Sequence, residues 1–451
     1  MNDPYAATPR SAPPPPQVQR AAAGPGRGGA VLPRWRLWYL PYSEGGATMR
    51  VYPGPAAMMR SLQRVDVGDV PVFFGTAFIF FIIMLFRINI YLAQPSFWAE
   101  DLPIFWFHAY RDPFYEPFLI PYSGYLNFAP RLIAALAEFF SYKVHPAFYV
   151  YASVLMSAWT AAVLSVSSGA RAQGVIFGLL LALVPHSGEV WATPANLQWV
   201  MACALPVLAL GPVPSSRFAR GNQLAFVLAT ALTGPFMIVS APLWVYRAAR
   251  AFRTRDGFGA ILVAIALCGA LVQLHFIANQ VVTVSSAGES HLVRTFIQIL
   301  LRWIEPVSRE IGALSIAFCA LMILGLFYGH QRVLRAGFIF LIFAIFTSVL
   351  YKFKNTYDAF IGLNGDRYFY IPAVLAAFCL SSLIFDDVNR WVKAIAAMLL
   401  VRMLFLAAEI PILPREPVSF ARDWRGYAHL IGRQDILVTF PPQWQFLIKA
   451  K

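Results

Sequence analysis

The feature that most limits the fold is a succession of apolar blocks, each about twenty residues long, the length that spans a hydrocarbon core as helix. Lipid offers the backbone no hydrogen-bond partners, so such blocks satisfy their own amides as helices. The first runs from about Val72 to Leu92, and others lie near Leu126–Tyr142, Ala147–Val166, Gly174–Val184, Ala195–Leu210 and Gln223–Tyr246. The pattern continues near Phe258–Asn279, Ile311–Tyr328, Ala336–Tyr351, Tyr368–Phe385 and Trp391–Ala408. The expected fold is therefore an all-α polytopic membrane protein with about eleven transmembrane helices. Charged residues make up only 13% of the chain, against about a quarter in a soluble domain.

The net charge of +14 would suggest nucleic acid as a partner of a soluble domain. Here the basic residues fall in short segments between apolar blocks, as in Arg247, Arg250, Arg253, Arg255 and His330, Arg332, Arg335. That is the positive-inside pattern of cytoplasmic anchors, so membrane lipid is expected and nucleic acid is not. Cys203, Cys268, Cys319 and Cys379 lie singly in apolar stretches, without metal-ligand or disulfide spacing.

Three segments follow. Residues 1–70, with the run Pro13–Pro16 and Arg10, Arg20, Arg27, Arg34 and Arg36, read as a disordered cytoplasmic arm. It lacks a signal-peptide core and cleavage site, so the first span is expected to stay and act as the membrane signal. Residues 71–409 form the membrane domain, whose loop 93–125 lies outside with short helices along the surface. Residues 410–451 form a small extracytoplasmic tail, read as a helix and a hairpin from ILVTF, PPQW and QFLI. Two breaks, HSGEVWATPAN (His186–Asn196) and LTGPF (Leu232–Phe236), put Gly, Pro and polar groups inside apolar surroundings. They predict re-entrant or broken helices.

No GxxxxGK[ST], GxGxxG after a strand, HExxH or GxSxG occurs, so ATP hydrolysis, Rossmann redox chemistry, zinc proteolysis and serine hydrolysis have no local support. Chemistry is left to carboxylates, Arg, Lys, His or a bound ion in a membrane cavity. Glu100 and Asp101 are adjacent acids beside apolar matter. They either cap the helix beginning at Leu102, or supply a general base for an acceptor hydroxyl or ligands for a divalent cation. Arg131 is a snorkelling anchor or a phosphate partner. Lys352, Lys354, Asp358, Asp366 and Arg367 form an outer cluster whose basic members run against the positive-inside trend, and it reads either as anchors or as a pyrophosphate or lipid-phosphate clamp. Glu189, Asn196, Gln198 and Trp199 form a structural polar network or a sugar site with Trp199 stacking on the ring. His108 and Arg111 are weaker candidates, and His291 and Arg294 weaker again.

A first span followed by an outer acidic pair (WAEDLPIF), then aromatic surface helices, then PYSGYLNFAPRLIAAL, resembles the multi-spanning glycosyltransferases of the GT-C superfamily. GEVWATPANLQW, LTGPF and DRYFYIP are similar to blocks in bacterial membrane proteins of that kind, and the resemblance covers roughly residues 70–445. It implies an inverting hexosyl or pentosyl transfer from a polyprenyl-phosphate sugar to a glycan or lipid acceptor of the cell envelope. The location implied is the outer face of the bacterial inner membrane, with the N-terminus cytoplasmic and the C-terminus periplasmic. Asp101 would be the base, with Glu100 supporting it or binding a divalent cation such as Mg or Mn. Arg131, Lys352 and Arg367 would bind the donor phosphate, and His108, Glu189, Asn196 and Trp199 the sugar or acceptor. The competing readings are a transporter or flippase for lipid-linked glycans, which predicts inverted repeats and mid-membrane charges, and a non-catalytic envelope assembly partner recruited through the Pro-rich arm.

Overall fold

A computed structural model describes residues 68–279, 291–304, 313–353, 365–410, 412, 424–440 and 444–450. The proposed arm up to residue 67, Lys354, Asp358, Arg415, Glu416, Arg422 and Asp423 lie outside the described residues. The described chain is almost entirely helical: α1 Asp69–Arg87, α2 Phe128–Ala137, α3 His145–Ser167, α4 Arg171–Leu183, α5 Leu197–Ala202, α6 Leu205–Leu210 and α7 Arg217–Ala231. There follow α8 Ala241–Thr254, α9 Gly257–Asn279, α10 Leu292–Ile304, α11 Ala313–Leu324, α12 Arg332–Phe353, α13 Arg367–Phe385 and α14 Arg390–Glu409. A two-stranded antiparallel hairpin, β1 Ile436–Phe440 and β2 Trp444–Ile448, completes it, pairing Ile436 with Ile448.

Six helices among the described residues, α1, α3 (with the turn that precedes it), α9, α12, α13 and α14, are long and apolar enough to cross a membrane. Their burial sets their place in the bundle. α13 is 89% buried, whereas α1 and α14 are 28% buried and turn Phe74, Phe78, Phe86, Met398 and Phe405 outward. An apolar helix that leaves its Phe residues uncovered by protein is suited to contact with lipid.

Hydrogen bonds fix two ends. At one, Asp69 pairs with Arg171 at 3.3 Å and accepts from Ser216. There Gln173 and Gln331 exchange bonds at 2.7 and 3.1 Å, Arg247 donates to Leu208 O at 2.9 Å, and Arg335 pairs with Asp386 at 2.8 Å. At the other, Tyr151 donates to Leu92 O at 3.1 Å, Gln273 bonds both the amide and carbonyl of Leu126, and Lys352 reaches Tyr368 at 3.1 Å. The basic segments gather at the first end and the sequence-predicted outer residues at the second.

Two expected spans are reorganised. Leu126–Tyr142 holds no helix of spanning length: α1 ends and α3 begins at the same end of the bundle, and the ten-residue α2 between them is only about 15 Å long. It stays at the end bearing Glu100. Gln223–Tyr246 is instead two helices, α7 and α8, reversed at residues 232–235. There Gly234 takes φ +79°, and the turn pairs with residues 126–128 through Phe128 N to Leu232 O and Gly234 N to Leu126 O, both 2.9 Å. The LTGPF break is thus satisfied by protein, as an apolar environment demands. HSGEVWATPAN is likewise a break: α4 stops at Leu183, the chain runs irregularly to Thr193, and a 3-10 turn at Pro194–Asn196 leads into α5.

Helix packing follows residue size. Gly174 and Gly178, a GxxxG pair on α4, face α3 so closely that a Cβ on them would lie 2.7 Å from Ser165 O and 2.5 Å from Ala161 O. Small residues let apolar helices gain dispersion contact that larger ones would block.

The end bearing Glu100 carries a cap. Loop 93–125 contains a helical run from Ala99 to Arg111, where a short helix is expected, and it buries Leu102, Phe105, Trp106 and Tyr110 against the rest of the protein. Trp106 Nε1 donates to His145 Nδ1 at 2.8 Å and Trp424 Nε1 to Tyr142 O at 2.8 Å, while Trp424 sits edge-on to Phe97 and Trp106. The tail therefore folds onto the loop.

Candidate active site

Glu100 and Asp101 leave Ala99 in opposite circumstances. Ala99 takes φ +42°, a left-handed conformation that costs a non-glycine residue about 1–2 kcal/mol. It starts the 3-10 turn that buries Asp101 and leaves Glu100 half-buried. Asp101 accepts from Trp98 N at 3.2 Å, from Thr193 Oγ1 at 3.0 and 3.1 Å, and from Ala195 N at 3.1 Å. Ala192, just before Thr193, is also left-handed at φ +56°. Three donors thus occupy a carboxylate that has about four acceptor positions. Asp101 fastens loop 93–125 to the break before α5.

Glu100 faces elsewhere and accepts from Tyr122 OH at 3.0 Å. Tyr122 and Tyr125 pair across a tight turn in which Ser123 and Gly124 take φ +53° and +85°. Consecutive positive φ values make the hairpin turn that glycine favours. Burial, and then the Glu100 charge, push the Tyr122 phenol up, so it remains a donor. Tyr125 is half-buried and accepts from Gln198 Nε2 at 3.3 Å.

Across from them stands the start of α13. Arg367 Nη1 lies 3.1 Å from Glu189 Oε1, and the Arg367 amide donates to Glu189 Oε2 at 3.1 Å. Burial pushes the Glu189 carboxyl up, and the Arg367 guanidinium and amide pull it back only in part. Asp366, one residue earlier, accepts from Ser187 N at 2.7 Å and meets His186 Nε2 at 3.3 Å and Arg302 Nη2 at 3.2 Å. Burial raises its carboxyl, but His186, Ser187 and Arg302 outweigh that and hold it below the ordinary aspartate range. Consecutive residues of the DR pair thereby grip both halves of HSGE.

Lys352 Nζ reaches Tyr368 OH at 3.1 Å and lies 5.4 Å from that ring's centroid, as does the Arg367 guanidinium. Trp199 packs edge-on against Tyr368 at 5.2 Å and against Phe236 at 4.8 Å. No carboxylate among the described residues pairs with Lys352. The ensemble is two carboxylates, two cations and an aromatic wall, drawn from loop 93–125, the break at His186–Asn196, α5 and the facing ends of α12 and α13.

Other expected residues lie apart from it. Arg131 is buried in α2, donating to Ile104 O and Ile120 O at 3.2 Å and to His108 Nδ1 at 2.9 Å beneath the Phe105 ring. It holds the surface helices down. Burial, then the Arg131 charge, lower the pKa of His108 and keep it a neutral acceptor. Asn196 turns its amide to Glu189 O at 2.9 Å and shapes the break. His291 and Arg294 lie at the start of α10, where Leu292, Val293 and Phe296 are exposed.

Among the described residues no three His, Cys, Asp or Glu side chains gather as a metal ion would need. Asp101 is turned to its donors while Glu100 is turned to Tyr122, so the two adjacent carboxylates have different partners. Sequence reasoning missed Tyr122, Tyr125 and Tyr368, whose signal was the Ser-Gly turn and the Tyr after Arg367. It also passed over Arg87, a lone cation at the end of an apolar block. Compared with protein-family models and with curated protein sequences, the chain finds no match.

Proposed function

We propose that this chain is a membrane glycosyltransferase that moves a sugar from a polyprenyl-phosphate donor to a glycan or lipid acceptor at the end of the bundle bearing Glu100. The observation that carries the reading is the gathering of Glu189, Lys352 and Arg367 about Tyr368, which Trp199 meets edge-on, with Glu100 near enough for its charge to act on Arg367 and Glu189. Charges so placed at the end of an apolar bundle are costly unless paired or used. In this reading the bundle crosses a bacterial inner membrane about eleven times, with its basic end cytoplasmic and the cluster and tail outside.

The roles follow from exposure. Glu100 is the general base: the acceptor hydroxyl gives it a proton, and the oxygen attacks the anomeric carbon from the face opposite the phosphate. The carbon–oxygen bond to phosphate breaks, its electron pair leaves with the lipid phosphate, and the anomeric configuration inverts. Lys352 and Arg367 neutralise the charge building on that phosphate. Trp199 and Tyr368 pack the apolar face of the sugar. Asp101, held by Trp98, Thr193 and Ala195, and Arg131, held by Ile104, Ile120 and His108, position the loop that presents Glu100.

The test is release of lipid phosphate by purified protein supplied with short-chain polyprenyl-phosphate sugars and an extract of envelope acceptors. Wild type should release it and Glu100→Gln should lose at least about a hundredfold, the usual contribution of a general base. Equal release by both proteins removes Glu100 from the chemistry.

A further inference from the structure

Arg87 ends α1 inside the first apolar block, where an uncompensated cation demands an explanation. Its guanidinium donates to Ala182 O, to Val184 O at 3.0 Å and to Ala407 O at 3.2 Å, joining the ends of α4 and α14. It lies 4.5 Å from the Trp191 ring centroid. No carboxylate among the described residues pairs with it, and the carbonyls leave part of its five-donor fork unused.

Beside it opens a cleft of about 400 Å³ between the ends of α1, α4 and α14 and the segment that follows α14, with Phe86, Leu183, Leu404, Ile410 and Ile412 as apolar walls beside Arg87. That volume suits part of a ligand the size of a lipid chain. Phe86 is 79% exposed and Ala408 is exposed as well, so the cleft opens on the outer flank of the bundle. Apolar walls suit an acyl chain. Arg87, the one cation among the described lining residues, stands at the end of the bundle bearing Glu100, the depth at which a lipid phosphate would lie.

We propose that this cleft holds one acyl chain of an anionic phospholipid, with its phosphate on Arg87. Charge complementarity selects the headgroup: a guanidinium without a carboxylate favours an anionic lipid over a zwitterionic one. The site rests on the membrane-embedded reading and not on sugar transfer.

The test uses delipidated full-length protein in detergent, probed by native mass spectrometry and thermal unfolding with phosphatidylglycerol, phosphatidylcholine or inorganic phosphate. One retained phosphatidylglycerol and a higher Tm are expected, with phosphatidylcholine about tenfold weaker and inorganic phosphate without effect. Arg87→Gln should abolish the preference between headgroups. Because Arg87 also joins two helix ends, Ala408→Trp is the second variant: it fills the cleft rim, leaves the lipid-free Tm unchanged and removes the bound lipid. Equal retention of the two lipids by wild type, or unaltered phosphatidylglycerol binding by Ala408→Trp, overturns the proposal. A Tm rise with inorganic phosphate equal to that with phosphatidylglycerol also overturns it, because the site then binds a simple anion. Glu100→Gln should bind lipid as wild type does, which separates failure of this site from failure of the transferase reading.

Discussion

The Arg367 guanidinium lies 3.1 Å from one oxygen of the Glu189 carboxylate, and the Arg367 backbone amide donates to the other oxygen at 3.1 Å. With side-chain exposures of 29% and 15%, the pair falls between a surface ion pair, worth little, and a buried one, costly to break. Arg367→Ala strands the more deeply buried partner and should lower stability by on the order of 2 kcal/mol. Glu189→Gln should cost less, because it removes the buried charge. Thermal unfolding of both single variants and the double variant checks this. The double should be more stable than the sum of the singles, and strict additivity would mean that the two groups are uncoupled.

Glu100 and Asp101 should separate cleanly. Glu100→Gln keeps its Tm and loses sugar transfer. Asp101→Asn replaces a charged acceptor with an amide whose NH2 faces the donors of Trp98, Thr193 and Ala195, and an unsatisfied buried group costs about 1–3 kcal/mol. Its Tm should fall, with any loss of transfer following the folded fraction. Full stability of Asp101→Asn would show that its hydrogen bonds hold nothing together.

The α3–α4 contact offers a steric test. Gly178→Val introduces a Cβ that would lie 2.5 Å from Ala161 O and 3.0 Å from Thr76 Cγ2, whereas a Cβ on Gly75 meets nothing within 4 Å. Size-exclusion profiles of the detergent-solubilised proteins should show Gly178→Val aggregated and Gly75→Ala monodisperse. A monodisperse Gly178→Val would mean the helices separate at little cost.

Acid stability should report on Asp386, in the connection between α13 and α14. Burial pushes this carboxyl up, but the amides of Gln331, His330 and Asp387 and the Arg335 guanidinium outweigh it and hold the pKa at about 2, below its ordinary 3.8. The depressed value makes this stabilisation fully present above about pH 4, and it is lost as pH falls toward 2 because the unfolded chain binds the proton first. Asp386→Asn should be less stable at neutral pH, with a flatter decline across that window. Parallel curves for the two proteins would assign the acid sensitivity to other groups.

Helix content and the two breaks were legible because apolar blocks and Gly-Pro interruptions are local signals. The arrangement at Leu126–Tyr142 was not, because block length cannot distinguish a crossing from α2, whose path depends on partners more than 100 residues away, such as Thr233 bonding Ala129 N. Gln223–Tyr246 was read as one span because Gly234 reverses the chain without leaving the apolar composition. Glu100, Glu189, Lys352, Trp199 and Arg367 were each visible as residue types in unusual places, and the fold brings them together. Choosing between Glu100 and Asp101 required the left-handed turn at Ala99, which alanine does not announce.

The most direct measurement is mass spectrometry of envelope glycans and lipids from cells lacking the gene, complemented with wild type or with Glu100→Gln. The account predicts the loss of one sugar-sized increment, restored by wild type and not by Glu100→Gln at equal membrane abundance. Full restoration by Glu100→Gln, or an unchanged profile in the deletion strain, would contradict it.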